Sequence, residues 1–412
     1  MDDAKAEKQR KPWREALVAG GAAAVIVVLL GLRVVPMTRE RPEFAEGGDH
    51  LKYVYMAEHG PWGFHIAPFC WRVGLPLIAR TLPFGIQTNF MLVTFASLWA
   101  TGIATYWLAR AFGKQPAMAM FAMLTVFGVG WATKYAVFDF WLPDPLVLAI
   151  VTLALCCILT RRDVALAVLL ALGVLVKESV IFAAPLWWTM PRAEGVTTRR
   201  SSAWGALAIL PAAAILIGLR AAIPAWNADA QYVQSLPPRL TEVDRGRTSY
   251  EYSEQLQRIS WQRVRDASVR FLETAHSYSV GSLGVLPLVL PFFAVRQNAR
   301  LFARLLPFLL LVYAQLLLAT DTQRLLVLAL PGVMLLSLNG LDALVRRCGT
   351  KAAAWLPLPA LVIAWNLWEA GRMAGPSWVE ACIVAGYVHA LWTWSLAESK
   401  RARRDSNARP TV

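Results

Sequence analysis

Charge is what this sequence has least of. Only 17% of its 412 residues are charged, against about a quarter in ordinary soluble domains. The shortage is greatest in acids, with 27 Asp and Glu against 41 Lys and Arg, for a formal net charge of +14. Cysteine is scarce as well. The five cysteines form no CxxC pair, and Cys156, Cys157 and Cys382 lie inside apolar runs. That excludes a disulfide framework and a cysteine metal site. Internal repeats are absent, and no soluble domain fits between the apolar segments.

What fills the space is apolar: 57% of residues are hydrophobic. The basic residues fall in short clusters between these segments, as loop charges of a membrane protein do. This argues against a nucleic-acid partner and for membrane lipids as the surroundings. The 18 Trp and 10 Tyr suit interfacial belts as well as core packing.

A helix needs roughly 20 apolar residues to cross the hydrocarbon core. Candidate spans lie at about 15–36, 87–110, 116–133, 144–160, 164–176, 179–190, 202–223, 279–296, 303–319, 325–345, 352–368 and 379–397. The first is followed by "RVVPMTRERPEF" instead of a small-residue cleavage site, so it reads as an uncleaved span. The expected fold is all-α, a polytopic transmembrane bundle of about twelve spans. Lys5, Lys8, Arg10, Lys11 and Arg14 place the N-terminus in the cytoplasm. Arg161–Arg162, Arg199–Arg200, Arg296/Arg300/Arg304, Arg346–Arg347 and the tail "SKRARRD" then fall on the same side. That consistency requires 164–190 to be two short helices hinged at Lys177-Glu178.

Two long loops, about 37–86 and 224–278, then face outward. In the second, Tyr252, Leu256, Ile259, Val264, Ala267 and Phe271 recur at helical spacing with arginines between them. A basic amphipathic helix of this kind can lie in the headgroup plane. A second interfacial helix is expected in the first loop, where "APFCWRVGLPLIARTLPFG" carries Arg72 and Arg80.

Polar residues gather on that outward side. In "EFAEGGDHLKYVYMAE", Gly47-Gly48 permits a tight turn, and Asp49 can cap the helix that follows. Glu43, Glu46 and His50 read equally well as loop residues. "YAVFDFWLPDPLVLA" puts Asp139 and Asp144 at the entry of the fourth span, where Asp144 before Pro145 is again a good helix start. Lys177 and Glu178 sit at a hinge deep between two spans, and ionisable residues at such depth usually mark a function. Asp321 and Arg324, at i and i+3, can form a local ion pair.

The order of these segments resembles the GT-C superfamily, multi-spanning glycosyltransferases that use polyprenyl-phosphate-linked sugars. "GDHLKYVYMAEHG" is similar to the acidic first-loop helix of bacterial members, and "PFCWRVGLP" to their PF-x-x-R-x-x-x-P segment. "PDPLVLAI", "LVKESV" and "TDTQRLLVLALPG" follow in the family's order. The resemblance spans most of residues 1–345, leaving 346–412 as two further spans and a basic cytoplasmic tail. It departs from the pattern in lacking a DxD in the first loop and a soluble C-terminal domain.

The resemblance implies an inner-membrane, outward-facing transferase that moves a sugar from a polyprenyl-phosphate donor to a glycan, protein or lipid acceptor. Asp49 would be the general base, and Asp144 would position the substrate or share a divalent metal with Asp49. Arg72, Lys177 and Arg324 would hold the leaving phosphate, while Lys177 could instead hold Glu178 or Asp144. Glu178, Asp321 and His50 complete the candidate set, and Tyr53 and Trp71 could stack on a sugar or anchor at the interface. Metal dependence stays open. A lipid-linked sugar flippase, a non-catalytic membrane scaffold and an O-antigen polymerase or ligase are the rival readings. The outer-side clustering leaves a transporter no polar path to the cytoplasm, and the arginines of 239–270 keep the polymerase alive.

Overall fold

The computed structural model describes residues 2–45, 48–190, 202–227, 229–241, 279–315, 322–369 and 377–407. Among these the chain is helical, with no strand. The principal elements are α1 (Asp2–Arg33), α2 (Asp49–His59), α3 (Gly74–Thr81), α4 (Ile86–Ala111), α5 (Pro116–Phe127), α6 (Gly130–Phe138), α7 (Asp144–Thr160) and α8 (Asp163–Val176). They continue as α9 (Ser202–Ala222), α10 (Val295–Ala314), α11 (Thr322–Leu326), α12 (Leu330–Cys348), α13 (Pro357–Trp368) and α14 (Ser377–Asn407).

Among the described residues, four helical runs are long and apolar enough to cross a membrane: Trp13–Arg33, Ile86–Ala111, Trp204–Ala222 and Gln323–Cys348. α5 and α6 form a fifth together, bent by 49°. The break has a chemical cause. The ladder opens at Gly128, and the Asn366 side chain from α13 donates to the freed Gly128 carbonyl. Val362 lies 3.0 Å from where a Gly128 Cβ would stand, so only glycine lets the two helices approach there. Asp144–Thr160, Asp163–Val176 and Ala352–Trp368 are shorter apolar helices.

α4 is the central post. Its Ser97, Thr101 and Thr105 are buried, yet each hydroxyl donates to the carbonyl four residues back, at 2.6–2.8 Å. Such self-satisfaction lets polar side chains sit in an apolar bundle without a desolvation penalty. α4 packs parallel to α7: Thr94 donates to the Phe140 carbonyl, and further along both segments Cys156 donates to the Ala104 carbonyl. Parallel packing brings the start of α7 to the end of the bundle where α4 begins.

The two long loops pack on one another at that same end. His65 stacks on Trp226 with ring centroids 3.7 Å apart, and the Asn227 amide bonds both the N–H and the C=O of Ala67. Trp71 Nε1 donates to the Ile223 carbonyl at 2.9 Å. A separate apolar cluster, with Met56, Phe64, Cys70, Phe90 and Trp141 fully buried, cements these loops to the bundle.

Several boundaries differ from expectation. The stretch 179–190 is a 3-10 turn (Glu178–Ala183) and a four-residue helix (Leu186–Thr189), not a spanning helix. The hinge stands, with Lys177 in extended conformation after Val176. Arg296, Arg300 and Arg304 lie not in a loop but on α10, where spacing by four puts them on one exposed face. The segment 279–296 is likewise broken, into short helical turns before α10 begins at Val295. In the first loop the broken helix is real: a 3-10 turn (Phe69–Trp71) delivers Arg72, and α3 follows. Of the amphipathic segment in the second loop, 242–278 lies outside the described residues, as does Asp321.

Candidate functional site

Asp49 is the first residue of α2, after Gly48, whose φ of 151° suits a residue without a side chain. Its carboxylate does not close over the N-terminus of its own helix. Oδ2 accepts instead from Arg324 Nη2, at 2.6 Å. Burial pushes the Asp49 carboxyl up, but the Arg324 guanidinium, assisted by Lys52 and Arg72, outweighs it and holds the group below the usual carboxylate range.

Asp144 behaves in the same way at the start of α7. Its Oδ1 accepts from Lys177 Nζ at 2.6 Å, and its Oδ2 lies 3.3 Å from Arg324 Nε. Arg324 thus bridges two carboxylates that begin two different helices, and Lys177 closes the chain of charges. The order Asp49–Arg324–Asp144–Lys177 alternates in sign throughout. Only with such alternation does a cluster of charges persist away from bulk water.

The neighbours Lys177 and Glu178 part company. Lys177 turns to Asp144, while Glu178 receives Arg72 in a two-pronged pair, Nε to Oε2 at 2.9 Å and Nη2 to Oε1 at 2.5 Å. Fork-to-fork pairing fixes both distance and plane. Arg72 Nη1 also reaches the Tyr53 hydroxyl at 3.4 Å. Tyr53 itself is 1% exposed, its ring edge-on to Phe69, so it supports Arg72 and offers no open face. Trp71 is committed too, by its bond to Ile223 and by the Arg220 guanidinium 4.8 Å above its ring.

His50 is buried beside Asp49. Its Nε2 pairs with the Phe44 carbonyl at 3.1 Å, and its Nδ1 faces Asp139 Oδ2 at 4.0 Å. Burial, the leading cause, lowers its pKa below the ordinary imidazole value. Asp139, in the turn between α6 and α7, is 6% exposed. Its Oδ2 lies 3.4 Å from the Tyr135 hydroxyl, and its Oδ1 is buried with no hydrogen-bond partner among the described residues. Burial pushes its carboxyl up to about 7; Arg324 opposes this, and the Asp49 and Asp144 carboxylates add to it.

Asp139, Asp144, Lys177 and Arg324 border a half-enclosed cavity that opens to solvent. Asp139, Asp144, Lys177, Gln315 and Arg324 supply its polar atoms, and Trp131, Tyr135, Leu142, Leu148 and Leu328 much of its apolar wall. Cations beside carboxylates in a half-enclosed pocket can bind an anion and accept a proton from a neutral molecule. A divalent metal does not fit the donors present. Asp49 and Asp144 already have cationic partners, and no three His, Cys, Asp or Glu among the described residues gather to hold an ion. Trp131 and Tyr135 were not singled out from the sequence, and Asp139 was placed at the entry of the fourth span without a role in the site. Their spacing by four on one helical face was the available signal.

No family model, no curated protein and no solved structure matches this chain. The functional argument therefore rests on the side chains around the cavity.

Proposed function

We propose that this chain is a multi-pass glycosyltransferase of the GT-C kind, moving a sugar from a polyprenyl-phosphate donor to an acceptor hydroxyl on the outer side of a cytoplasmic membrane. Its basic N-terminal segment would lie in the cytoplasm, and the apolar helices described above would hold the site in the membrane. One observation carries the reading. Asp49, from the loop after the first apolar helix, leaves its own helix N-terminus and meets Arg324, which in turn meets Asp144 beside Lys177 at one cavity.

The reaction assigns each group a task. Asp49 takes the proton from the acceptor hydroxyl as its oxygen attacks the anomeric carbon. A bond forms from acceptor oxygen to that carbon, and the bond from carbon to phosphate oxygen breaks. The electron pair leaves with the polyprenyl phosphate, whose charge Arg324 and Lys177 receive. A single in-line displacement inverts the anomeric centre. Arg72, locked on Glu178, holds the loop that carries Asp49 and is less available to the phosphate than either of these cations.

The test compares lipids of cells that carry wild-type protein or Asp49→Asn at equal expression. Build-up of one polyprenyl-phosphate sugar in the variant supports the transferase and names its donor. Unchanged lipids and glycans would sink it. Proteoliposomes would then show whether the wild-type chain moves lipid-linked sugars across the bilayer, as a flippase must.

A further inference from the structure

The transferase reading leaves Asp139 without a task, although its position is unusual. It lines the cavity, is 6% exposed, and holds one carboxyl oxygen buried without a partner. A buried polar atom left unsatisfied costs folding free energy, about 1–3 kcal/mol. Nothing nearby repays that cost in the structure as it stands: Tyr135 and His50 lie at 3.4 Å and 4.0 Å, both on the other oxygen.

The surroundings limit what can satisfy it. A phosphate is repelled by a carboxyl flanked by Asp49 and Asp144, and is drawn instead to Arg324 and Lys177, which line the same cavity. A metal ion lacks further ligands, since those two acids are engaged by cations. An alcohol meets neither obstacle, because a hydroxyl can donate to Oδ1 and a carboxyl can grip two adjacent hydroxyls at once. Tyr135 stands next to Asp139 and Trp131 next to Tyr135, their ring centroids 4.6 Å apart and tilted by 33°, both on the cavity wall. An aromatic wall beside a carboxyl offers a sugar ring an apolar surface for its C–H bonds and a polar one for its hydroxyls.

We propose that Asp139, with Trp131 and Tyr135, forms the hydroxyl-reading subsite for the sugar carried on the lipid phosphate, and so decides which epimer is accepted. The inference rests on the cavity receiving such a donor, but not on Asp49 acting as the base.

The full-length protein in nanodiscs would be titrated with farnesyl-phosphate mannose, farnesyl-phosphate glucose and farnesyl phosphate without a sugar. Wild-type protein is expected to bind one sugar-bearing probe better than the other. Asp139→Ala should weaken that probe by about 10- to 100-fold, as loss of a hydrogen bond to a carboxyl does, and leave farnesyl phosphate unchanged. Asp139→Asn should lie between. The melting temperature of Asp139→Asn is expected to match or exceed that of wild type, because the amide removes a buried charge. Equal weakening of all three probes, no weakening, or a lowered melting temperature would make Asp139 a structural residue and overturn the proposal. Failure of the wild type to bind either sugar probe would overturn it as well. If epimer discrimination depends on Asp139 while Asp49→Asn leaves cellular lipids unchanged, the subsite survives and the transferase reading falls.

Discussion

Asp49 and Arg324 stand 275 positions apart in the chain and meet at 2.6 Å. The pair joins the loop after the first apolar helix to the helical run Gln323–Cys348, late in the chain. It also suppresses the basicity of Asp49, whose carboxyl lies below its ordinary range because of Arg324. A base needs the opposite. Under the proposed transfer, arrival of an anionic phosphate at Arg324 would divert the guanidinium and restore basicity to Asp49.

Asp49→Asn is therefore expected to lower transfer by about 10²–10⁴-fold, the usual worth of a positioned base. The amide keeps size and accepts a hydrogen bond from Arg324, so folding is expected to survive. Product formation by mass spectrometry and the melting temperature in detergent check the two halves. A variant within threefold of wild-type turnover would remove Asp49 from the chemistry.

Arg324→Gln removes the cation that two carboxylates share. Breaking a buried pair by deleting one partner costs about 3–5 kcal/mol. The lower end is expected here, since the Asp49 side chain is 26% exposed and water screens part of the loss. Asp49→Asn combined with Arg324→Gln should regain stability without regaining turnover. A double-mutant cycle on thermal stability reads the coupling, and strict additivity would show that the two residues do not interact.

Glu178→Gln tests the other clamp. It leaves Arg72 without its two-pronged partner beside a buried Tyr53. A drop in melting temperature is expected, together with faster proteolysis of the 37–86 loop, because Arg72 ties that loop to the hinge after α8. Limited proteolysis in nanodiscs would show it. An unchanged cleavage pattern would mean that the loop is held by its apolar cluster alone.

Asp139 carries a pH signature. Its folded value of about 7 lies above the usual aspartate value, near 3.9 when unfolded. Between those values the folded state binds more protons than the unfolded state, so stability falls as pH rises and levels off above about 7. Asp49, Asp144, Arg324, His50 and Tyr135 are the titratable or charged groups that face it. The stability advantage of Asp139→Asn over wild type is expected to grow from pH 5 to pH 8. A difference independent of pH would contradict this assignment.

Gly340 offers a test of the fold alone. A Cβ there would stand 1.7 Å from the Leu290 carbonyl oxygen, a backbone atom that cannot swing aside. Gly340→Ala is expected to destabilise by about 3 kcal/mol, the upper end for overpacking. A normal melting temperature would mean that the α12 contact is looser than described.

The membrane character was legible in the sequence because it depends on local composition. A run such as "ALVAGGAAAVIVVLLGL" is apolar wherever it folds. The Lys177-Glu178 hinge was legible too, as was the broken helix around Arg72, because charge and proline interrupt the runs locally. Partnerships were not. Asp49 and Asp144 each read as a helix cap, and each instead bonds a cation from a distant segment. Lys177 and Glu178 are adjacent in sequence but serve two different acid–base pairs.

The sequence by itself determined that the chain is helical, largely apolar, and polar chiefly at the segment ends, since hydropathy and helical period are properties of short stretches. Only the tertiary structure decided which acid meets which cation. Ion pairing depends on distance through space, and the parallel packing of α4 with α7 and the break after Val176 set those distances. It also decided that one oxygen of Asp139 would be buried beside the cavity without a partner among the described residues. No local pattern records a missing partner, because that absence belongs to everything packed around the residue.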